Sequence, residues 1–156
     1  MIPINASLPV FMSTYGTAEA CLQTVFDSKW PRGFVCPDCS HNEGNRLTTR
    51  PRMLQCTSCY GQTSITANTI FQDSHMPLPL WFLAIYLVAN DKGGISALRL
   101  AKKLGVSRTT SQLVLKKIRS AMGARDENLT LAGYIELDEA FLGGRSPNKR
   151  QGKSPF

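Results

Sequence analysis

No run of apolar residues in this chain approaches the ~20 that a membrane-spanning helix requires. The longest, Leu78 to Ala89, has only the length of a buried helix. The first residues, Met1 to Phe11, lack the basic and apolar regions of a secretion signal. The expected compartment is therefore the cytoplasm, with no membrane partner. Thiols stay reduced there, and cysteine is scarce: five in 156 residues, four of them in pairs. Negative charge is missing over a long segment, with nine Lys or Arg and no Asp or Glu from Lys92 to Arg125. Acidic residues also run out after Glu139. Against these absences stand 42% hydrophobic and 19% charged residues, a balance that excludes a disordered chain. The length admits one ordinary domain or two small ones. A net charge of +7 and a pI near 9.4 favour a polyanionic partner, nucleic acid first.

The cysteines carry the most specific pattern. Cys36-Pro37-Asp38-Cys39 and Cys56-Thr57-Ser58-Cys59 are separated by sixteen residues, a spacing expected of a zinc site. A two-residue gap lets a tight turn aim two thiolates at one ion, and two such knuckles complete a tetrahedron. Four sulfur ligands leave no open position, so the zinc is structural rather than catalytic. Unrelated cysteines or disulfides are the alternative, and the spacing and the reducing compartment favour metal. Around the pairs, Phe34-Val35, Arg46 to Thr49, Met53 to Gln55 and Thr63 to Ile65 read as short strands joined by turns. Cys21 falls on an apolar helical stripe with Ala18, Leu22, Val25 and Phe26, in a helix expected to start at Ser13 or Thr14, and reads as a buried free thiol. His41 has the chemistry of a ligand but the cysteine set is already complete, and His75 reads as a residue at the start of the next helix.

Three helices are expected beyond the cysteines: Pro77 to Ala89, Ser96 to Leu104 and Arg108 to Met122. Trp81 and Phe82 belong to the core of the first. In the second, Leu98, Ala101 and Leu104 form one face. Gly105 suits a left-handed stop and Ser107 an N-cap. In the third, Ser111, Val114, Leu115, Ile118 and Met122 form the inward stripe, and Ser111 suits close helix approach. The opposite face carries Arg108, Thr109, Gln112, Lys116, Lys117 and Arg119. This is the pattern of a helix-turn-helix, whose second helix turns its first residues to base edges. Arg108 can read guanine and Gln112 adenine. Thr109 and Thr110 suit phosphate or a thymine methyl, and Lys102, Lys103, Lys116, Lys117 and Arg119 suit phosphates. A plain three-helix bundle with a basic surface is the competing reading, and the acid-free run favours double-stranded DNA.

The segment Ile135-Glu136-Leu137-Asp138-Glu139 alternates like a strand, with Glu136 and Asp138 on one face. By spacing alone it is a half-exposed edge strand. In company with Trp30-Pro31, Gly33-Phe34, the two cysteine pairs, Pro77-Leu78 with Trp81-Phe82, Gly94-Ile95-Ser96-Ala97 and Gly143-Gly144, it makes the chain resemble insertion-sequence transposases of the ISXO type. That resemblance implies an N-terminal zinc ribbon, recognition of terminal inverted repeats, and an RNase H-like domain of the DDE type that cuts and rejoins DNA with two magnesium or manganese ions. It matches Asp138 to the first catalytic acid.

The expected fold is therefore mixed α+β. An N-terminal helix (13–33) precedes a zinc ribbon of short hairpins (34–70) and a trihelical helix-turn-helix (77–125). Residues 133–156 would be the first strand of an incomplete, C-terminally truncated RNase H-like domain with a flexible basic tail. On this reading the chain binds transposon ends in DNA transposition without catalysing strand transfer, and self-association is compatible with it. Two alternatives stand beside it: an active transposase completed by a separate C-terminal part, and a zinc-ribbon module that contacts protein. Whether the chain is itself an enzyme is open at this point.

Overall fold

The computed structural model of the chain describes residues 6–126. Two short helices open it, α1 (Leu8–Tyr15) and α2 (Ala18–Lys29). The sequence led us to expect one helix here, starting at Ser13 or Thr14. Instead the chain becomes helical at Leu8, just after Ser7, with a proline in the first turn, where its missing N–H costs nothing. The cap of α2 is Thr17, not Ser13 or Thr14: its hydroxyl accepts from the Ala20 N–H at 3.3 Å. Helix α1 exists because Phe11 and Tyr15 are buried on aromatic neighbours far along the chain, which local pattern does not reveal. Phe11 lies 4.5 Å from the Tyr86 ring, and Tyr15 lies 5.2 Å from Phe82.

A three-stranded antiparallel sheet follows, in the order β1 (Gly44–Leu47), β2 (Arg50–Cys56), β3 (Gln62–Ser64). Strands β1 and β2 pair from Gly44 opposite Cys56 to Leu47 opposite Arg50, with an irregularity after Arg46. Strand β3 sets Thr63 opposite Leu54. Phe34-Val35, expected to be a strand, is not one. Phe34 is buried instead, its ring edge-on to Trp30 at 5.2 Å, while Val35 faces solvent. The sheet is fastened to α2 by Arg46, which pairs with Glu19 and donates to the Gln23 side chain at 2.8 Å. Lys29 adds a second tie, donating to the carbonyls of Ser64 and Ala67, each at 2.9 Å.

Three helices complete the described chain: α3 (Leu78–Asn90), α4 (Ala97–Leu104) and α5 (Arg108–Asp126). Each contacts the other two, and α3 also packs on α2. Trp81 and Phe82 are buried in α3 as expected, each contributing about 1.5–3 kcal/mol by leaving water. The segment 65–77 between sheet and helices is held on both sides. Trp81 donates its indole N–H to Ser74 Oγ at 2.7 Å, Arg52 of β2 reaches the Ser74 carbonyl at 3.4 Å, and Lys117 of α5 donates to the Gln72 carbonyl. One hydrophobic cluster runs from Phe11 through Cys36, Cys56 and Ile65 to Ile118, so sheet and helices share a core.

The turn between α4 and α5 follows the sequence expectation. Gly105 is left-handed at φ +67°, a conformation that side chains resist, and its N–H closes on the Ala101 carbonyl. Ser107 caps α5, accepting from the Thr110 N–H at 3.1 Å. Two apolar positions depart from expectation. Leu98 is 55% and Met122 51% exposed, while Leu100 fills the core in place of Leu98. Ser111 is fully buried where the two helices cross, and its hydroxyl faces the carbonyls of Ala97 at 2.7 Å and Arg108 at 2.9 Å.

Replacing Ser111 by Ala should cost about 1 kcal/mol through the lost hydrogen bond. Ser111→Leu should cost roughly 1–3 kcal/mol through overpacking. Urea unfolding of the zinc-loaded protein measures both, and a Leu variant as stable as the parent would contradict the close crossing.

Candidate metal centre and nucleic-acid interface

Each cysteine pair sits in a turn built the same way. In the first, the Cys36 N–H donates to the His41 carbonyl at 2.9 Å and the Ser40 N–H to the Cys36 carbonyl at 3.0 Å. In the second, the Cys56 N–H donates to the Gly61 carbonyl at 3.0 Å. The residue after each pair, Ser40 and Tyr60, is left-handed at φ 59°. That conformation is costly for a side-chain-bearing residue and turns the chain back over the sulfurs. Gly61 leaves room beside the second turn: a Cβ there would lie 3.3 Å from Cys59 Sγ and 2.6 Å from the Asp38 carboxylate, the end of an exposed side chain that would have to swing aside. Sequence reasoning missed these three positions, although an awkward residue directly after a Cys-x-x-Cys pair was the available signal.

The turns bring Cys36, Cys39, Cys56 and Cys59 together, with all four sulfurs within 4.8 Å of one another. The Cys36–Cys59 and Cys39–Cys56 sulfur separations are both 3.6 Å, and none of the five cysteines is in a disulfide. A tetrahedron of zinc–sulfur bonds of about 2.3 Å has edges of about 3.8 Å. The cluster therefore fits zinc, and it fits as a closed structural site. Cys36 and Cys56 are buried in the shared core and Cys39 and Cys59 face solvent. His41 is outside the cluster, paired with Glu43 at 3.9 Å.

Crowding sets the thiols apart electrostatically. The Cys59 N–H, followed by that of Ser58 against the opposing effect of burial, holds Cys56 at about 6. At Cys59 the Gly61 N–H pulls downward, but the neighbouring sulfurs of Cys39 and Cys36, together with burial, push the thiol up to about 12. Cys39 is also raised: the His41 N–H and the Cys59 sulfur favour its thiolate, while burial and the sulfurs of Cys56 and Cys36 prevail. Cys21 lies elsewhere, buried on α2 with its thiol donating to the Tyr15 carbonyl at 3.2 Å, and burial lifts it to about 11.

Residues 16–62 match the transposase zinc-ribbon domain. The match spans α2, both cysteine turns and strands β1 and β2, less than a third of the chain. It supports a relation to insertion-sequence transposases and, with the four-sulfur cluster, a structural zinc. Comparison with curated proteins and with solved structures gave no match. No helix among the described residues is long and apolar enough to cross a membrane.

The second set of candidate residues lies on α4 and α5. Lys102, Lys103, Arg108, Thr109, Gln112 and Lys116 are exposed. The other three make contacts within the fold, although Arg119 is also exposed. Thr110 is half-buried and bonded to the Ser107 hydroxyl at 2.8 Å, and Arg119 reaches the Ile95 carbonyl at 3.4 Å. Lys117, expected on the outer face, is half-buried against the 65–77 segment, 6.0 Å from the Trp81 ring centre. Helical spacing alone could not show that this segment folds back beneath it. Asp138, with Glu136 and Glu139, lies outside the described residues.

Two outcomes test the centre. Metal binding takes the thiolate of every ligand, and Cys39 and Cys59 hold protons at pH 7, so uptake should release at least two protons per zinc. Affinity should then fall as pH falls, more steeply below about 6 where Cys56 also protonates; competition titrations with a zinc indicator across pH read this directly. In the zinc-loaded protein, mass spectrometry after iodoacetamide should find no cysteine alkylated. After chelation the four ligands should react, whereas labelling of Cys21 while zinc is bound would deny its burial.

Proposed function

We propose that this chain is a transposase-related DNA-binding protein of the ISXO type, whose α4–turn–α5 unit is a helix-turn-helix that recognises the terminal inverted repeats of an insertion sequence. The observation that carries this reading is the outer surface of α4 and α5. Exposed cations lie there in a 34-residue stretch without one acidic residue, beside a segment that matches a transposase zinc ribbon. A solvated helical face ordinarily mixes both signs. In this reading Arg108 and Gln112 at the start of α5 face base edges, guanine and adenine respectively. Thr109 contacts phosphate or a thymine methyl, and Thr110 supports it from the cap. Lys102, Lys103 and Lys116 neutralise phosphates, with Lys117 and Arg119 at the margin of the contact.

The zinc ribbon supports the helices rather than acting alone. Its sheet shares their core, and Arg52 and Lys117 grip the same connecting segment from opposite sides. The described residues serve recognition in this reading. The reading as a protein-contact module fits the acid-free stretch less well. The role of Asp138 in a complete catalytic domain, with magnesium or manganese, belongs to the resemblance alone.

The test is a salt series of binding to duplexes carrying the element's terminal repeat. Log affinity should fall linearly with log salt, and the paired change Lys102→Ala with Lys116→Ala should flatten the slope by about two. Chelating the zinc should abolish binding. A folded, zinc-loaded sample that prefers no sequence would defeat the proposal.

A further inference from the structure

One residue on the outer face of α5 has chemistry that phosphate contact does not use. Leu113 is 59% exposed, in a helix whose other large apolar residues except Met122 are buried. It shares a face with Thr109 one turn before it and Lys116 one turn after, and it adjoins Gln112. Every one of these neighbours is polar or basic and exposed.

Helix geometry limits what Leu113 can meet. Met122 stands nine residues on, about 180° around the helix, so the two do not form an apolar stripe for a partner helix. Ser120, the next residue on Leu113's own face, is polar and exposed. A protein partner would need a wider apolar patch than this. Lys116 on this face and the exposed Lys102, Lys103 and Arg108 of the same two helices favour a polyanion, and the major-groove edge of DNA offers one prominent apolar group, the 5-methyl of thymine.

We propose that Leu113 is a base-reading residue that packs against a thymine methyl, so that the DNA bound by α5 carries a required thymine beside the base read by Gln112. This rests on the DNA-binding reading above and adds a specificity determinant to it. Removing one methyl contact should cost about fourfold in affinity.

The experiment uses the zinc-loaded full chain and duplexes enriched by it from a randomised library. Each thymine of the enriched sequence is replaced in turn by deoxyuridine, which keeps the base pair and deletes only the methyl. Binding is titrated for the parent and for Leu113→Ala and Leu113→Ser, exposed substitutions that leave the core untouched. The expected result is one thymine per bound site whose replacement weakens the parent about fourfold and leaves both variants unchanged. If every replacement costs parent and variants alike, or the enriched sequence requires no thymine, the inference falls while DNA binding stands. A change in sedimentation of the DNA-free protein on Leu113 substitution would overturn it in favour of self-association. If the library yields no enriched sequence, the DNA-binding reading and this inference fall together.

Discussion

Four sulfurs brought within 4.8 Å of one another are the constraint on which the N-terminal half depends. Strands of four, seven and three residues cannot bury enough surface to stand alone. Four crowded thiolates repel unless a cation is shared among them, so the binding energy of the metal becomes folding energy. The strain accepted at Ser40 and Tyr60 is repaid only when the sulfurs have something to converge on. Two of the ligands, Cys36 and Cys56, also belong to the common hydrophobic cluster. Loss of metal would therefore disturb the core as well as the turns.

From that centre the order is passed on through packed side chains. Phe26, Trp30 and Phe34 form a run of rings from α2 toward the sheet. A second run of rings has Phe71 stacked on Phe82 at 5.7 Å and edge-on to Trp81 at 5.6 Å. Trp81 lies under Lys117, and so the run ends at α5. A rigid platform beneath α5 would suit the base-reading role proposed for that helix.

Features set by local chemistry were the legible ones. The zinc ligands follow from two short gaps and one long one, and the stop of α4 follows from Gly105 and Ser107. The helix of residues 78–90 follows from its apolar run and the proline before it. What escaped was set by distant partners. Helix α1 depends on rings in α3, and Leu98 and Leu100 exchange roles according to how an eight-residue helix lies on its neighbours. Lys117 turns inward because a carbonyl 45 residues earlier lies beneath it. No periodicity within α5 encodes that carbonyl.

The ties across the connecting segment have one chemical feature in common. Lys29, Arg52 and Lys117 each donate from a basic side chain to a main-chain carbonyl, those of Ser64 and Ala67, of Ser74 and of Gln72. Every residue type supplies such a carbonyl, so Ala67 and Gln72 are free to drift in identity so long as the backbone path survives, whereas Ser74 also accepts the Trp81 indole N–H through its hydroxyl. The donors have no such freedom. Mechanical continuity between sheet and helices is therefore written into three cations and erased from the strap they hold. The net charge of the chain correspondingly overstates the positive charge it can offer to a polyanion.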